Sequence, residues 1–191
     1  MIARLFVGVA CLIGAAGAKA EIAAGQGGSE IPSLFRHVAH QYGVPNEVLY
    51  AVAFKESRRR HPETGEIVPW PWTINVNFEG MYFESEAAAL AKVAELRAAG
   101  KRSIDVGYGQ VNLHYNGHQL PDPASRFDPR TNLSASARIL VEELVRCGYS
   151  SWRCAIERYH SPGRKPEQRA RAVDYADGVF AIMAEMTGRV R

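Results

Sequence analysis

From Ile31 onward the apolar positions recur at helical spacing in several separate stretches. Ile31, Leu34, Phe35, Val38 and Tyr42 form the first stripe, and Gly43 closes it. Pro45-Asn46 opens the next, with Asn46 as the expected cap and Val48, Leu49, Val52 and Ala53 as its buried side. Residues 61–71 carry Pro62, Gly65, Pro69 and Pro71 and read as a loop; Arg58-Arg59-Arg60 before them reads as a solvated helix end. Trp72–Val76 and Met81–Phe83, flanking Asn77-Phe78-Glu79-Gly80, predict a β-hairpin. Ser85 caps a helix that runs to about Ala99 and stops at Gly100. Ser103–Val106 is extended, and residues 113–127 form a polar loop. Three further helices are expected: from about Asn132 through Val145, around Trp152–Tyr159, and from Pro166 to Met186. The fold class is therefore α+β, mostly helical, with one small hairpin.

The chain has 191 residues, enough for one domain with a sizeable core. Its first residues follow another logic. A short basic start through Arg4, an apolar run from Leu5 to Ala18 and the small-x-small Ala18-Lys19-Ala20 predict a cleaved secretory signal over residues 1–20. Glu21–Glu30 is small and glycine-rich, a flexible lead-in to a domain over residues 31–187. Cleavage removes Arg4 and Lys19, so the 23 Lys and Arg become 21 against 20 Asp and Glu. So even a balance argues against a nucleic-acid binder. The mature chain keeps Cys147 and Cys154, an even number that in an exported protein predicts a disulfide across Gly148–Ser151.

The candidate chemistry centres on Glu56, at the end of the second helix in Phe54-Lys55-Glu56-Ser57. An apolar helix face favours the neutral acid by desolvation, and the negative end of the helix dipole pushes the same way. The nearby Arg58-Arg59-Arg60 push the other way if their heads approach Glu56. A carboxyl group whose pKa is raised can donate a proton near neutral pH. His114 and His118 lack a clear third ligand, so no zinc or other metal site is expected. Trp70 and Trp72 suit either sugar stacking or hairpin core, and Asp105, which more readily reads as a turn or cap acid, is the best-placed second carboxylate.

Glu56-Ser57, then Gly107-Tyr108-Gly109-Gln110-Val111, Asn132-Leu133 and Arg158-Tyr159-His160 follow one another in this order. Together they resemble the lytic transglycosylases with a goose-lysozyme-like catalytic domain, over roughly residues 31–187. The family pattern is Glu-Ser, Gly-Leu-Met-Gln with an aliphatic residue, Asn-Leu, and Ala-Tyr-Asn. Tyr108 and Gly109 depart from its Leu-Met, and Arg158 and His160 from its Ala and Asn. The long segment 69–104 looks like the hairpin-plus-helix insertion of a subgroup associated with conjugation and secretion machines.

The resemblance implies a lysozyme-like fold and cleavage of the MurNAc–GlcNAc β-1,4 bond of peptidoglycan, with formation of 1,6-anhydroMurNAc. Glu56 is the expected acid and then base. Ser57 is expected to bond a substrate N-acetyl group or the local backbone. Gln110 is expected to bond amide or sugar groups, or to bridge backbone. Tyr159 is expected to orient Glu56 through its phenol, and Tyr108 to stack on a sugar ring. Gly107 and Gly109 are expected to let the backbone approach a ligand. The resemblance implies no cofactor, and glycan strands as partner of a monomer, with components of a secretion or conjugation machine as further candidates; the signal over residues 1–20 implies the periplasm. Two other readings stay open: a hydrolase on the same fold with Asp105 as base, and a glycan-binding scaffold without turnover.

Overall fold

The computed structural model describes residues 31–163 and 165–188, and the signal and lead-in expected over residues 1–30 lie outside them. The described chain is α+β and mostly helical, with α1 Ser33–Tyr42, α2 Asn46–Ser57, α3 Glu86–Ala98, α4 Pro129–Arg146, α5 Trp152–His160 and α6 Pro166–Met186. No described helix is long and apolar enough to cross a membrane.

The helix limits follow local chemistry. Gly43 takes a left-handed φ of 68° and ends α1. Asn46 is the first residue of α2 rather than its cap, because Pro45 takes the cap position and offers no side-chain acceptor. Ser85 accepts from Ala88 N at the start of α3, as expected. α4 begins three residues before Asn132: Asp128 caps it by accepting from Thr131 N at 2.8 Å, and Pro129 fills the first turn.

Six short strands accompany the helices. β1 (Arg58–Arg60) pairs antiparallel with β2 (Ile67–Pro69), so the arginine run is a strand and not a helix end. β3 (Thr73–Val76) and β4 (Glu79–Tyr82) form the expected hairpin. Its two-residue turn, Asn77-Phe78, has φ of 54° and 67°, the left-handed pair that matches strand twist, and Phe78 stands almost wholly in solvent. β5 (Asp105–Val106) and β6 (Val111–Asn112) extend the hairpin to a four-stranded sheet of order β4-β3-β5-β6, larger than the sequence predicts.

The apolar core of the described residues forms two clusters. Leu49, Val52, Leu133, Leu140, Ile156 and Val179 belong to the helical one. Ile74, Ile104, Val106, Leu120 and Phe127 belong to the one beneath the sheet, and Tyr159 packs against both. Cys147 and Cys154 form the expected disulfide, with Cα atoms 6.2 Å apart, joining the end of α4 to the first turn of α5. Closing so short a loop contributes about 2–3 kcal/mol in the chain-entropy model.

Candidate functional site

α2 delivers Glu56 one residue before its end. There the helix stops because the chain is pulled into the β1–β2 ribbon. Ser57 Oγ donates back to Ala53 O at 2.8 Å and accepts from Trp70 N at 3.3 Å, and the same Trp70 N–H reaches Ser57 O. Ser57 is fully buried, so of its two expected partners it has the backbone and not a ligand. Trp70 is likewise core: it is 2% exposed, donates from Nε1 to Phe83 O at 2.7 Å, and carries the Arg59 guanidinium over its ring at 4.7 Å. Trp72 meets it edge-on and is half-buried.

The Glu56 carboxyl is partly buried and accepts a 2.6 Å hydrogen bond from the phenol of Tyr175, on α6. Its pKa is pushed up to about 7. Burial is the main cause; the Tyr175 bond opposes it, the nearby Asp105 carboxyl adds to it, and Lys55 opposes it. Asp105 is itself raised by burial, and Asn112 Nδ2 holds it at 2.7 Å. Two carboxyl groups thus lie within electrostatic reach of each other, with the Glu56 proton poised near neutrality.

Tyr159, the residue expected to orient Glu56, does something else. Its hydroxyl donates to Gly109 O at 2.6 Å and so ties α5 to the glycine loop. Tyr175 takes the orienting role. It lies 119 residues from Glu56 in the chain, and in the sequence it is one apolar position in the stripe of a long helix.

The loop from Gly107 to Gln110 is held by its neighbours. Asn132, fully buried, accepts from Gly109 N at 3.2 Å and donates to Val106 O and Arg126 O, each at 3.0 Å. Its side chain fills the place a Cβ on Gly107 would take, 2.2 Å away, and Gly107 also has a φ of 76°. A Cβ on Gly109 would stand 1.9 Å from Ser136 Oγ and 2.7 Å from the Tyr159 hydroxyl. Both glycines therefore admit α4 and α5 side chains, not the ligand expected for them. The Asn-Leu motif at the start of α4 and the glycine loop are one structural unit.

Gln110 has a φ of 46°, unusual for a residue with a side chain. Its Nε2 donates to Gly107 O at 2.9 Å and to Thr73 O at 3.2 Å, so its amide donor bridges backbone, as one of its two expected roles foresaw. Two hydrogen bonds thus hold a residue in a conformation that side chains rarely adopt. Tyr108 is not available to stack on a sugar. It is 6% exposed and packs edge-on against Phe35 at 5.2 Å, because the loop turns its ring inward into the helical cluster.

His160 lies parallel to the Tyr175 ring at 4.3 Å, covering the residue that grips Glu56. Among the described residues no group of three or more His, Cys, Asp or Glu is arranged to hold a metal ion. An open depression lined by Arg36, His40, Asn46 and Glu47 sits at the α1–α2 corner. It lies about 15 Å along the helix from Glu56, too far to share its chemistry. The arrangement around Glu56 suits proton donation to, and later withdrawal from, an oxygen atom by a single carboxyl group. Comparison with protein-family models, curated proteins and solved structures finds no match to this chain.

Proposed function

We propose that the chain is an exported peptidoglycan lytic transglycosylase. The observation that carries this reading is Glu56: a partly buried carboxyl at a helix end, gripped by Tyr175 and raised to about 7. The ordered motifs described above support it, since Glu56, the glycine loop and Tyr159 lie side by side and Asn132 fastens the loop.

In the proposed reaction Glu56 protonates the oxygen bridging MurNAc and GlcNAc, and that bond to the MurNAc anomeric carbon breaks. The N-acetyl carbonyl of the same sugar stabilises the positive charge. Glu56, now a carboxylate, takes the proton of the C6 hydroxyl, whose oxygen bonds the anomeric carbon and closes the 1,6-anhydro ring. The acid is regenerated and no water is consumed. A tethered hydroxyl has a high effective concentration, so one carboxyl group suffices. The proposed setting is the periplasm, with local opening of the wall around an envelope-spanning machine as the biological use.

A second reading is favoured by one observation. Asp105 is within electrostatic reach of Glu56 and is itself raised, so it suits a base that activates water in a hydrolase. Solubilisation of purified sacculi tests both enzymatic readings against a glycan-binding scaffold. The wild-type chain is expected to release soluble fragments, and Glu56→Gln to release at least about a hundredfold fewer per unit time. Binding to sacculi without release by either chain would leave only the scaffold.

A further inference from the structure

Lys55 stands beside Glu56 and Tyr175, and Arg171 beside the His160 stacked on Tyr175, and no proton transfer above requires either cation. Arg171, Tyr175 and Gly178 occupy positions i, i+4 and i+7 of α6 and so share one stripe of that helix. Tyr175, in the middle, grips Glu56. Gly178 makes room for Lys55: a Cβ there would stand 2.1 Å from Lys55 Nζ. The Lys55 ammonium is 5.8 Å from the centre of the Tyr175 ring, and His160 is stacked on that ring. His160 is held below its ordinary pKa by burial, then by the charges of Arg171 and Lys55, so both cations reach it.

Neither cation forms an ion pair among the described residues. Asp174, three residues from Arg171, is exposed and makes none with it; Asp177 is committed to Arg153 at 2.8 Å. Lys55 moreover opposes the rise of the Glu56 pKa, which works against an acid that must hold its proton. A cation kept there at that cost suits a negative group brought in by the ligand.

We propose that Lys55 and Arg171, with His160 alongside, bind a carboxylate on the peptide substituent of the glycan strand, so that the enzyme favours peptide-bearing strands over bare ones. The proposal rests on the glycan-cleaving reading. Each MurNAc carries, through its lactyl ether, a short peptide with free carboxylates, and the bond cleaved belongs to that same sugar. An ammonium next to the acid and a guanidinium fork beside His160 suit that substituent, and Arg171 can bind a carboxylate in two-pronged fashion.

The test compares kcat/KM on purified glycan strands carrying their peptides with kcat/KM on the same strands stripped by an amidase. The wild-type chain is expected to prefer peptide-bearing strands. Arg171→Gln and Lys55→Met are each expected to narrow that preference about two- to fivefold, the scale of a solvent-exposed ion pair, and Arg171→Lys to keep most of it. Added salt narrows the wild-type preference as well. Equal wild-type rates on the two substrates, or a preference that survives both charge-removing variants, overturns the proposal. If the wild-type chain cleaves neither substrate, the cleavage reading fails, and co-sedimentation decides the site by itself. Retention on peptide-bearing strands alone, lost in Arg171→Gln, upholds it, and equal retention on both strands overturns it.

Discussion

The Tyr175 hydroxyl donates to Glu56 Oε1 at 2.6 Å, joining the end of α2 to the middle of α6 across 119 residues of chain. That bond favours the charged carboxylate, yet burial outweighs it and Glu56 stays near 7. The phenol therefore fixes the direction of the carboxyl group and moderates its acidity.

Tyr175→Phe separates these two effects. Losing the bond removes a force that lowers the Glu56 pKa, so the alkaline limb of the rate profile moves to higher pH. Loss of orientation lowers turnover by about tenfold, the equivalent of one hydrogen bond to a charged group. A pH–rate profile on sacculi measures both, and an unmoved limb with unchanged turnover removes Tyr175 from the site.

Tyr159→Phe has a different signature. Its lost partner is Gly109 O, so the expected cost is about 1–2 kcal/mol of folding stability with no movement of the alkaline limb. Denaturant unfolding beside the same pH profile distinguishes the two tyrosines.

Glu56→Gln tests the burial of the acid without any substrate. The folded pKa of about 7 exceeds the ordinary 4.5, so the folded state holds the proton over the intervening range. The Glu56 contribution is then most favourable below about 4.5 and is lost as pH rises through 7. Glutamine keeps an acceptor for Tyr175 and has no charge to bury. The variant is expected to be more stable than wild type at pH 8, by about 3–4 kcal/mol at most, with the difference shrinking toward pH 4.5. Unfolding curves at pH 5 and pH 8 provide the check, and an equal difference at both pH values contradicts the shift.

Asn132→Ala tests the fastening of the glycine loop. Three hydrogen bonds are lost at a fully buried position, so folding stability is expected to fall by about 3 kcal/mol or more. A loss below about 1 kcal/mol would show that the loop holds itself.

Much of the helical layout was legible because the apolar positions recur and the caps are chemically plain: Gly43, Ser85 and Gly100 all mark real ends. The first strand was not, since three consecutive arginines carry no apolar alternation and their pairing with Ile67–Pro69 is a tertiary fact. The start of α4 carried a readable signal in Asp128-Pro129, a cap followed by the proline favoured in a first turn, which the Asn-Leu motif overshadowed. At the site, motif order pointed to Glu56 and Tyr159, which lie within electrostatic reach of each other, while Gly109 meets both Asn132 and Tyr159. It misassigned the phenol, because a helix stripe shows which tyrosine faces inward and not which atom it meets. Tyr108 was misread for a related reason: a ring in a glycine loop can turn out or in, and only the Phe35 packing decides.

The central claim is tested most directly by mass spectrometry of the muropeptides released from purified sacculi by the wild-type chain. One raised carboxyl group, gripped by Tyr175, can finish the reaction when the substrate supplies its own C6 hydroxyl. The expected products end in 1,6-anhydroMurNAc, lighter by one water than reducing-end products and unchanged by borohydride. Products that end predominantly in reducible MurNAc would contradict the central claim and pass the second role to Asp105 as the base for water.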